Sequence, residues 1–429
     1  MTNTIETVLV LGSGGTVGSL CGGLLAQNGL HVYFLSRTLE RAKRGVQRAV
    51  AQARSEVITE NITCGDYDSL KERACRNADW ILECVAEDIS IKQRMYEWVD
   101  EYRKPESVVS TVTSSLVLEE LPQGRSESFR NHFLSTHFYN PPGKMPACEI
   151  SGQSHTDPAV VQNMTDFLEK RLRRAVIPVK PTAAFAGNRI AFLLFARIVE
   201  LAGEVGVEMM DYLIGPYTGR IMAPLATIDL VGLDIHRAII QSLRENTHDA
   251  MHETLTIPEY LDTMIQMGCL GRKAGNRGGF YKRRESGQYE FFDPDTCNFI
   301  PTFKPHIRFV EKAKNFIHLG RYRPAFDTIA KAKGTEANIV QEILATYISY
   351  AYMLVGKVTE ERYGISGIDR VMTTGFNWAG PSMIVNMLGG EETAIELLEA
   401  NGLTIPDALR EDTLSEQYHF NAGKYFPAR

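Results

Sequence analysis

Between the apolar run Val8-Leu9-Val10-Leu11 and a stretch with helical spacing lies Gly12-Ser13-Gly14-Gly15-Thr16-Val17-Gly18. The run before it is the kind a parallel strand needs when both of its faces are covered. After it, Leu20, Leu24 and Leu25 recur at helical spacing, and Asn28-Gly29 closes the helix. HVYFL then reads as a second buried strand, so the opening of the chain is a βαβ unit. Glycines at such a strand–helix junction permit a tight turn and a close approach of backbone to a pyrophosphate, which the free N–H groups of the helix start attract. The strict G-x-G-x-x-G spacing fails because Val17 stands where its last glycine would be, but G-x-x-G-x-x-G holds at Gly12, Gly15 and Gly18. A purely structural turn is the competing reading, and the strand–turn–helix context argues against it. Gly12, Gly14, Gly15, Thr16, Val17 and Gly18 are therefore expected to contact a nicotinamide dinucleotide.

The end of the second strand is where such units choose their dinucleotide. An acidic residue there holds the ribose 2′-hydroxyl of NAD. This chain has Ser36-Arg37. A hydroxyl with a guanidinium suits a 2′-phosphate, so of NAD and NADP the second is favoured. By residue type alone, Arg37 is equally a solvated charge at a helix start.

The chain has 429 residues, too many for one core, and two or three domains are expected. Apolar runs at WILECVA, SVVSTV and FLSTHFY, with amphipathic helices between them, extend a doubly wound α/β domain over residues 1–180. Beyond Pro181 long helical patterns replace strands. They suggest a helical domain over 181–285 that ends in the basic stretch GCLGRKAGNRGGFYKRR, then a connector over 286–330 with FFDPDT as a turn. A second helical module follows over 331–429. AGEVGVEMMDYLIGPYTGRIMAPLATIDLVG and YMLVGKVTEERYGISGIDRVMTTGFNWAGPSMIVNMLGG form a weak internal repeat. Two copies packed face to face would bury apolar surface that neither buries alone.

A net charge of −6 offers no broad attraction for nucleic acid or an anionic membrane. No signal peptide and no run of spanning length is read. The 7 cysteines are scattered without C-x-x-C, which fits a reducing compartment better than a disulfide framework or a zinc site. A cytoplasmic protein without a metal centre is the expectation.

His137 ends an apolar strand, where a parallel sheet presents side chains to its ligand crevice. An imidazole titrating near neutrality suits removal of a hydroxyl proton while hydride leaves the same carbon. A lone histidine is by itself more often a satisfied structural one.

Several segments in order resemble the 3-hydroxyacyl-CoA dehydrogenase family: ADWILECVAEDISIK (78–92), TSSL (113–116), THFYNPP (136–142), CEI (148–150), FAGNRI (185–190), APLATIDLVGLD (223–234) and GRKAGNRGGFY (271–281). The resemblance covers about residues 5–285, and the tail from about 331 resembles the repeated C-terminal module of larger multifunctional members. No enoyl-hydratase segment accompanies it. The resemblance implies a Rossmann α/β domain followed by all-α domains, tandem modules like the C-terminal domain of 6-phosphogluconate dehydrogenase. It implies a catalytic pair in His137 and Glu149, and a substrate oxygen held by Ser114 and Asn188. It further implies cofactor contacts from Glu87, Lys92, Ser114, Asn140 and Lys273. A small-molecule acyl thioester is the implied substrate, with either a monomer containing an internal pseudo-dimer or a homodimer.

The chain departs from the family pattern in several places. Val112 replaces the Asn before T-S-S-L, Ala183-Ala184 replace Pro-Gly, and the acidic residue after the second strand is missing. The stretch from that strand to Glu87 is short, which opens the acyl carrier to a carrier protein or a free acid. A dinucleotide-sensing protein with a retired active site is the reading outside enzymology, against which the complete His137, Glu149, Ser114 and Asn188 set argues.

Overall fold

A computed structural model describes residues 5–114 and 116–411 and divides the chain into two compact units. The first takes in Met1–Phe185 with Val358–Glu360 and Thr374–Phe376, and the second holds the remainder.

In the first unit the elements run β1 (Thr7–Leu11), α1 (Thr16–Gln27), β2 (His31–Ser36), α2 (Leu39–Ala53), β3 (Ile62–Asp66), α3 (Tyr67–Asn77) and β4 (Trp80–Glu83). They continue with α4 (Ile89–Tyr102), β5 (Val108–Thr111), α5 (Glu127–Asn131), β6 (Phe133–Phe138), β7 (Ala147–Gly152), α6 (Pro158–Lys170) and β8 (Ala175–Pro178). One eight-stranded sheet has the order β3-β2-β1-β4-β5-β6-β7-β8. Its first six strands are parallel; β7 turns antiparallel to β6, and β8 runs parallel to β7.

Strand side chains alternate between faces, and both faces here are apolar. Val8, Val10, Val32, Phe34, Trp80 and Leu82 enter a core with Leu24 and Leu25 of α1 and Met164 and Leu168 of α6. Leu9, Leu11, Tyr33, Leu35 and Ile81 enter the opposite core with Ala74 of α3 and Tyr96 and Val99 of α4. The short link from β2 to β4 consists of α2, a 3₁₀ turn (Glu56–Asn61), β3 and α3.

The second unit begins with α7 (Gly187–Val205), α8 (Val207–Leu213), α9 (Pro224–Val231), α10 (Leu233–Asn246) and α11 (Glu259–Gln266). Next come β9 (Tyr281–Arg283), β10 (Tyr289–Asp293), β11 (Asn298–Pro301), α12 (Arg308–His318) and α13 (Tyr322–Ala330). It ends with α14 (Thr335–Met353), α15 (Gly364–Gly375, whose last two residues join the first unit), α16 (Pro381–Leu388), α17 (Glu391–Ala400) and α18 (Asp407–Arg410).

The unit is helical, as expected, but it is not all α. Strands β9 to β11 form an antiparallel sheet in the order β11-β10-β9, with FFDPDT turning β10 into β11. Residues 286–330, expected as a connector, hold two of these strands and two helices. β9 (YKR) is charged, and β10 (YEFFD) and β11 (NFIP) are only five and four residues long, so no apolar run of strand length announces them.

The internal repeat has a structural counterpart. α7 and α14 have 19 residues each, and Arg197 joins Glu342 between them at 2.6 Å. In the first copy, buried Asp211 accepts the N–H groups of Leu225 (2.7 Å) and Ala226 (3.0 Å) at the start of α9. In the second, buried Asp369 accepts the N–H of Ser382 (3.1 Å) and its hydroxyl at the start of α16. A carboxylate at a helix N-terminus satisfies free N–H groups and complements the helix dipole. The two copies also meet strand-fashion, Arg220 bridging Trp378, while Ala379 N–H donates to the Gly219 carbonyl at 2.7 Å.

All 7 cysteines are unpaired. Among the described residues no helix is long and apolar enough to cross a membrane, and no cluster of metal-ligating side chains forms.

Candidate active site

The glycine turn is assembled by close backbone approaches. Gly12 and Ser13 both donate N–H to the Leu35 carbonyl at 3.0 Å, tying the turn to the end of β2. Gly12 has φ +79°, and a Cβ on it would lie 2.4 Å from the Cys84 carbonyl oxygen. A Cβ on Gly18 would lie 2.7 Å from the Gly12 carbonyl oxygen, so α1 can reach β1 only with glycine there. Tyr67, opening α3, also receives the Gly12 N–H on its hydroxyl at 3.0 Å, and burial pushes that phenol up to about 12. Gly15 is the N-cap of α1 and supplies no side chain, so no side-chain cap covers the first-turn N–H groups. Gly15 and Thr16 are exposed. An uncapped helix start over a glycine turn fits a pyrophosphate.

Ser36 and Arg37 part company. Ser36 is buried, its Oγ 2.7 Å from where a Cβ on Gly14 would sit, whereas Arg37 is exposed.

Next to the turn, an acidic network lies under the end of β4. Glu83 is fully buried and accepts hydrogen bonds from Lys92 Nζ (2.8 and 2.9 Å), Tyr96 (2.8 Å), Thr111 (2.8 Å) and the Val85 N–H (2.7 Å). Lys92 is fully buried too, which sets it apart from an ordinary surface lysine on a helix. Burial alone would lower its ammonium, but Glu83 and Glu87 more than offset this and hold it above the usual value. Lys92 also lies 3.4 Å from Glu87, whose side chain is 39% exposed. Glu87 in turn accepts from the Thr113 hydroxyl and the Ser114 N–H (3.1 Å). Glu87 thus links Lys92 to Thr113 and Ser114. The Ser114 carbonyl accepts the Ala184 N–H at 2.7 Å. Thr113, Glu83 and Tyr67 were not singled out from sequence; only Glu83, an acid inside an apolar strand, carried a visible signal.

His137 and Glu149 are direct cross-strand partners on β6 and β7. His137 Nδ1 lies 2.8 Å from Glu149 Oε2, and Glu149 is fully buried. With the carboxylate ionised, the proton sits on Nδ1 and the Nε2 lone pair is left to accept. The His137 side chain is 10% exposed, and its ring packs near Phe185 at 5.8 Å. Tyr139, two residues on, donates its hydroxyl to the same Glu149 oxygen at 2.7 Å. Period two along a strand puts residues 137 and 139 on one face, a signal present in the sequence. Asn140 follows at the surface.

The other two expected site residues belong to the second unit. Asn188 is half-buried on the first turn of α7, and Lys273 pairs with Asp234 at 2.5 Å.

Ala184 and Phe185, after β8, have φ +59° and +49°. Left-handed backbone is costly for side-chain-bearing residues and easy for glycine. The chain carries Ala184 where the family pattern has Gly.

Comparison with known proteins agrees with this architecture. The family model for the 3-hydroxyacyl-CoA dehydrogenase NAD-binding domain matches residues 7–182, and that for the 3-hydroxyacyl-CoA dehydrogenase C-terminal domain matches 185–283. A Deinococcus radiodurans protein named a probable 3-hydroxyacyl-CoA dehydrogenase is 31% identical over 65% of this chain and 83% of its own length. A Bacillus subtilis protein of the same name is 30% identical over 95% of this chain, so the likeness continues past residue 283. The chain spans about half of that relative's length, 54%. In fold, 3-hydroxybutyryl-CoA dehydrogenase from Escherichia coli is similar over 92% of this chain and 94% of its own, with a TM-score of 0.66 at 18% identity. On its glycine turn, its His–Glu strand pair and these matches, the chain belongs to the 3-hydroxyacyl-CoA dehydrogenase family.

Proposed function

We propose that the chain is a dehydrogenase interconverting 3-hydroxyacyl and 3-ketoacyl thioesters. A nicotinamide dinucleotide bound over the turn at Gly12–Gly18 would accept or supply hydride at its C4 carbon. The observation that carries the reading is the His137 Nδ1···Glu149 Oε2 contact of 2.8 Å; an ionised carboxylate can only accept, so the ring would keep Nε2 as its acceptor. In the oxidative direction Nε2 takes the hydroxyl proton as the carbinol carbon gives up hydride. In reduction the imidazolium returns that proton to the carbonyl oxygen. Glu149 fixes the ring and stabilises the imidazolium. Ser114, anchored by Glu87, would donate to the reacting oxygen. Asn188 is assigned the same task from the family resemblance alone, and Asn140 and Lys273 their cofactor contacts likewise.

His137→Gln is the test. It should remove turnover of acetoacetyl-CoA while leaving dinucleotide affinity, read by fluorescence titration, nearly unchanged. Retained turnover would sink the mechanism.

Between the two dinucleotides, the exposed Arg37 just beyond β2 favours NADP, whereas buried Ser36 serves the turn more than a ligand. Arg37→Gln should weaken NADPH about tenfold, the loss of about 1.4 kcal/mol of charge-assisted bonding, and leave NADH unchanged. Equal effects on both would return the assignment to NAD.

A further inference from the structure

The Glu149 carboxylate serves two donors through one oxygen. Oε2 lies 2.8 Å from His137 Nδ1 and 2.7 Å from the Tyr139 hydroxyl. The Tyr139 ring stands edge-on to the His137 ring at a centroid distance of 4.9 Å, and Phe376 packs against it at 5.4 Å. Gly375 makes room for it, since a Cβ there would fall 3.0 Å from ring atoms of Tyr139. Phe376 and Gly375 belong to the short segment Thr374–Phe376 that the first unit takes from the second helical module. A buried tyrosine needs a partner for its hydroxyl, and any packing role could have been filled by phenylalanine.

We propose that Tyr139 is a positioning residue of the proton-transfer pair, holding Glu149 by a second hydrogen bond and drawing off part of the carboxylate charge that would otherwise stabilise the His137 imidazolium. This rests on the reading of His137 and Glu149 as the working pair. A donor to an ionised carboxylate lowers its proton affinity, and a partner of weaker negative charge favours imidazolium less. Tyr139 therefore moves the working range of the pair toward lower pH, and the Gly375-Phe376 contact holds it in place. Cys148 on β7 is a further titratable group beside the pair among the described residues, and burial pushes its thiol well up. Tyr139 itself is held well above the ordinary phenol value by burial and by Glu149, and remains a donor throughout.

The sign follows. Oxidation requires neutral imidazole, and removing the hydroxyl makes imidazolium more favourable. In Tyr139→Phe, the acid limb of kcat/KM for 3-hydroxybutyryl-CoA oxidation should move up by about half to one pH unit. Below that limb the rate should fall about three- to tenfold relative to the parent chain, with dinucleotide affinity unchanged. Gly375→Ala keeps the hydroxyl but pushes on the ring, and should move the limb in the same direction, which keeps the proposal testable should Tyr139→Phe fail to fold. Profiles that superimpose on the parent's in every folded variant would overturn it and leave Tyr139 a packing residue. An active His137→Gln, measured alongside, would instead overturn the reading beneath it.

Discussion

The glycine turn at the end of β1 and the His137–Glu149 pair across β6 and β7 lie in one sheet but are built in opposite ways. The turn is made of backbone, and its precision comes from atoms that are missing, with Gly12 and Gly18 each approached closer than any Cβ tolerates. The pair is made of side chains, and its precision comes from strand register, which sets residue 137 opposite residue 149 where the sheet changes from parallel to antiparallel. A site of the first kind fails when atoms are added, and one of the second kind when they are taken away. The first should govern how tightly a dinucleotide is held, and the second how fast a proton moves.

That division can be broken by experiment. The largest effect belongs to His137→Gln, a loss of about 10³-fold in kcat, within the range general acid–base catalysis supplies, with dinucleotide Kd unchanged. A matching loss of affinity would show that the two sites are not separable. Gly18→Val comes next. Its side chain must displace the Gly12 carbonyl, so dinucleotide Kd should rise at least about tenfold, while kcat at saturating dinucleotide largely recovers. A kcat that stays low at saturation would blur the contrast. Smallest is Ala184→Gly. Relief of the left-handed strain, less the extra freedom of glycine in the unfolded chain, should raise stability by about 0.5–1 kcal/mol in urea unfolding. Its kcat/KM should stay within about twofold; a larger change would mean that the strained turn near His137 sets the chemistry.

Legibility in the sequence followed the same line. The β1–α1–β2 unit could be read from the residues alone because everything that makes it lies within Thr7–Ser36. The pairing of His137 with Glu149 came from the family resemblance, because antiparallel register depends on a return of the chain that no local pattern encodes. Tyr139 was overlooked although its spacing from His137 was on view, since a tyrosine in an apolar strand reads as core. Lys92 was named only through the resemblance, and its full burial makes sense only once Glu83 is seen beneath it. The internal repeat was visible as a weak echo of words. What the two copies share physically is a buried aspartate capping a proline-led helix, a feature carried by two residues in each and easily lost among the rest.

The bridge between Arg220 and Trp378 has a consequence for how the second unit assembles. Arg220 is buried with its guanidinium 4.6 Å from the centre of a Trp378 ring, and the Gly219 carbonyl receives the Ala379 N–H alongside. Both partners of this contact hang from one polypeptide. Such tethering replaces a search between molecules with one within a single chain. The docking of one copy on the other therefore has no dilution limit: however scarce the protein, each half always has its mate at hand.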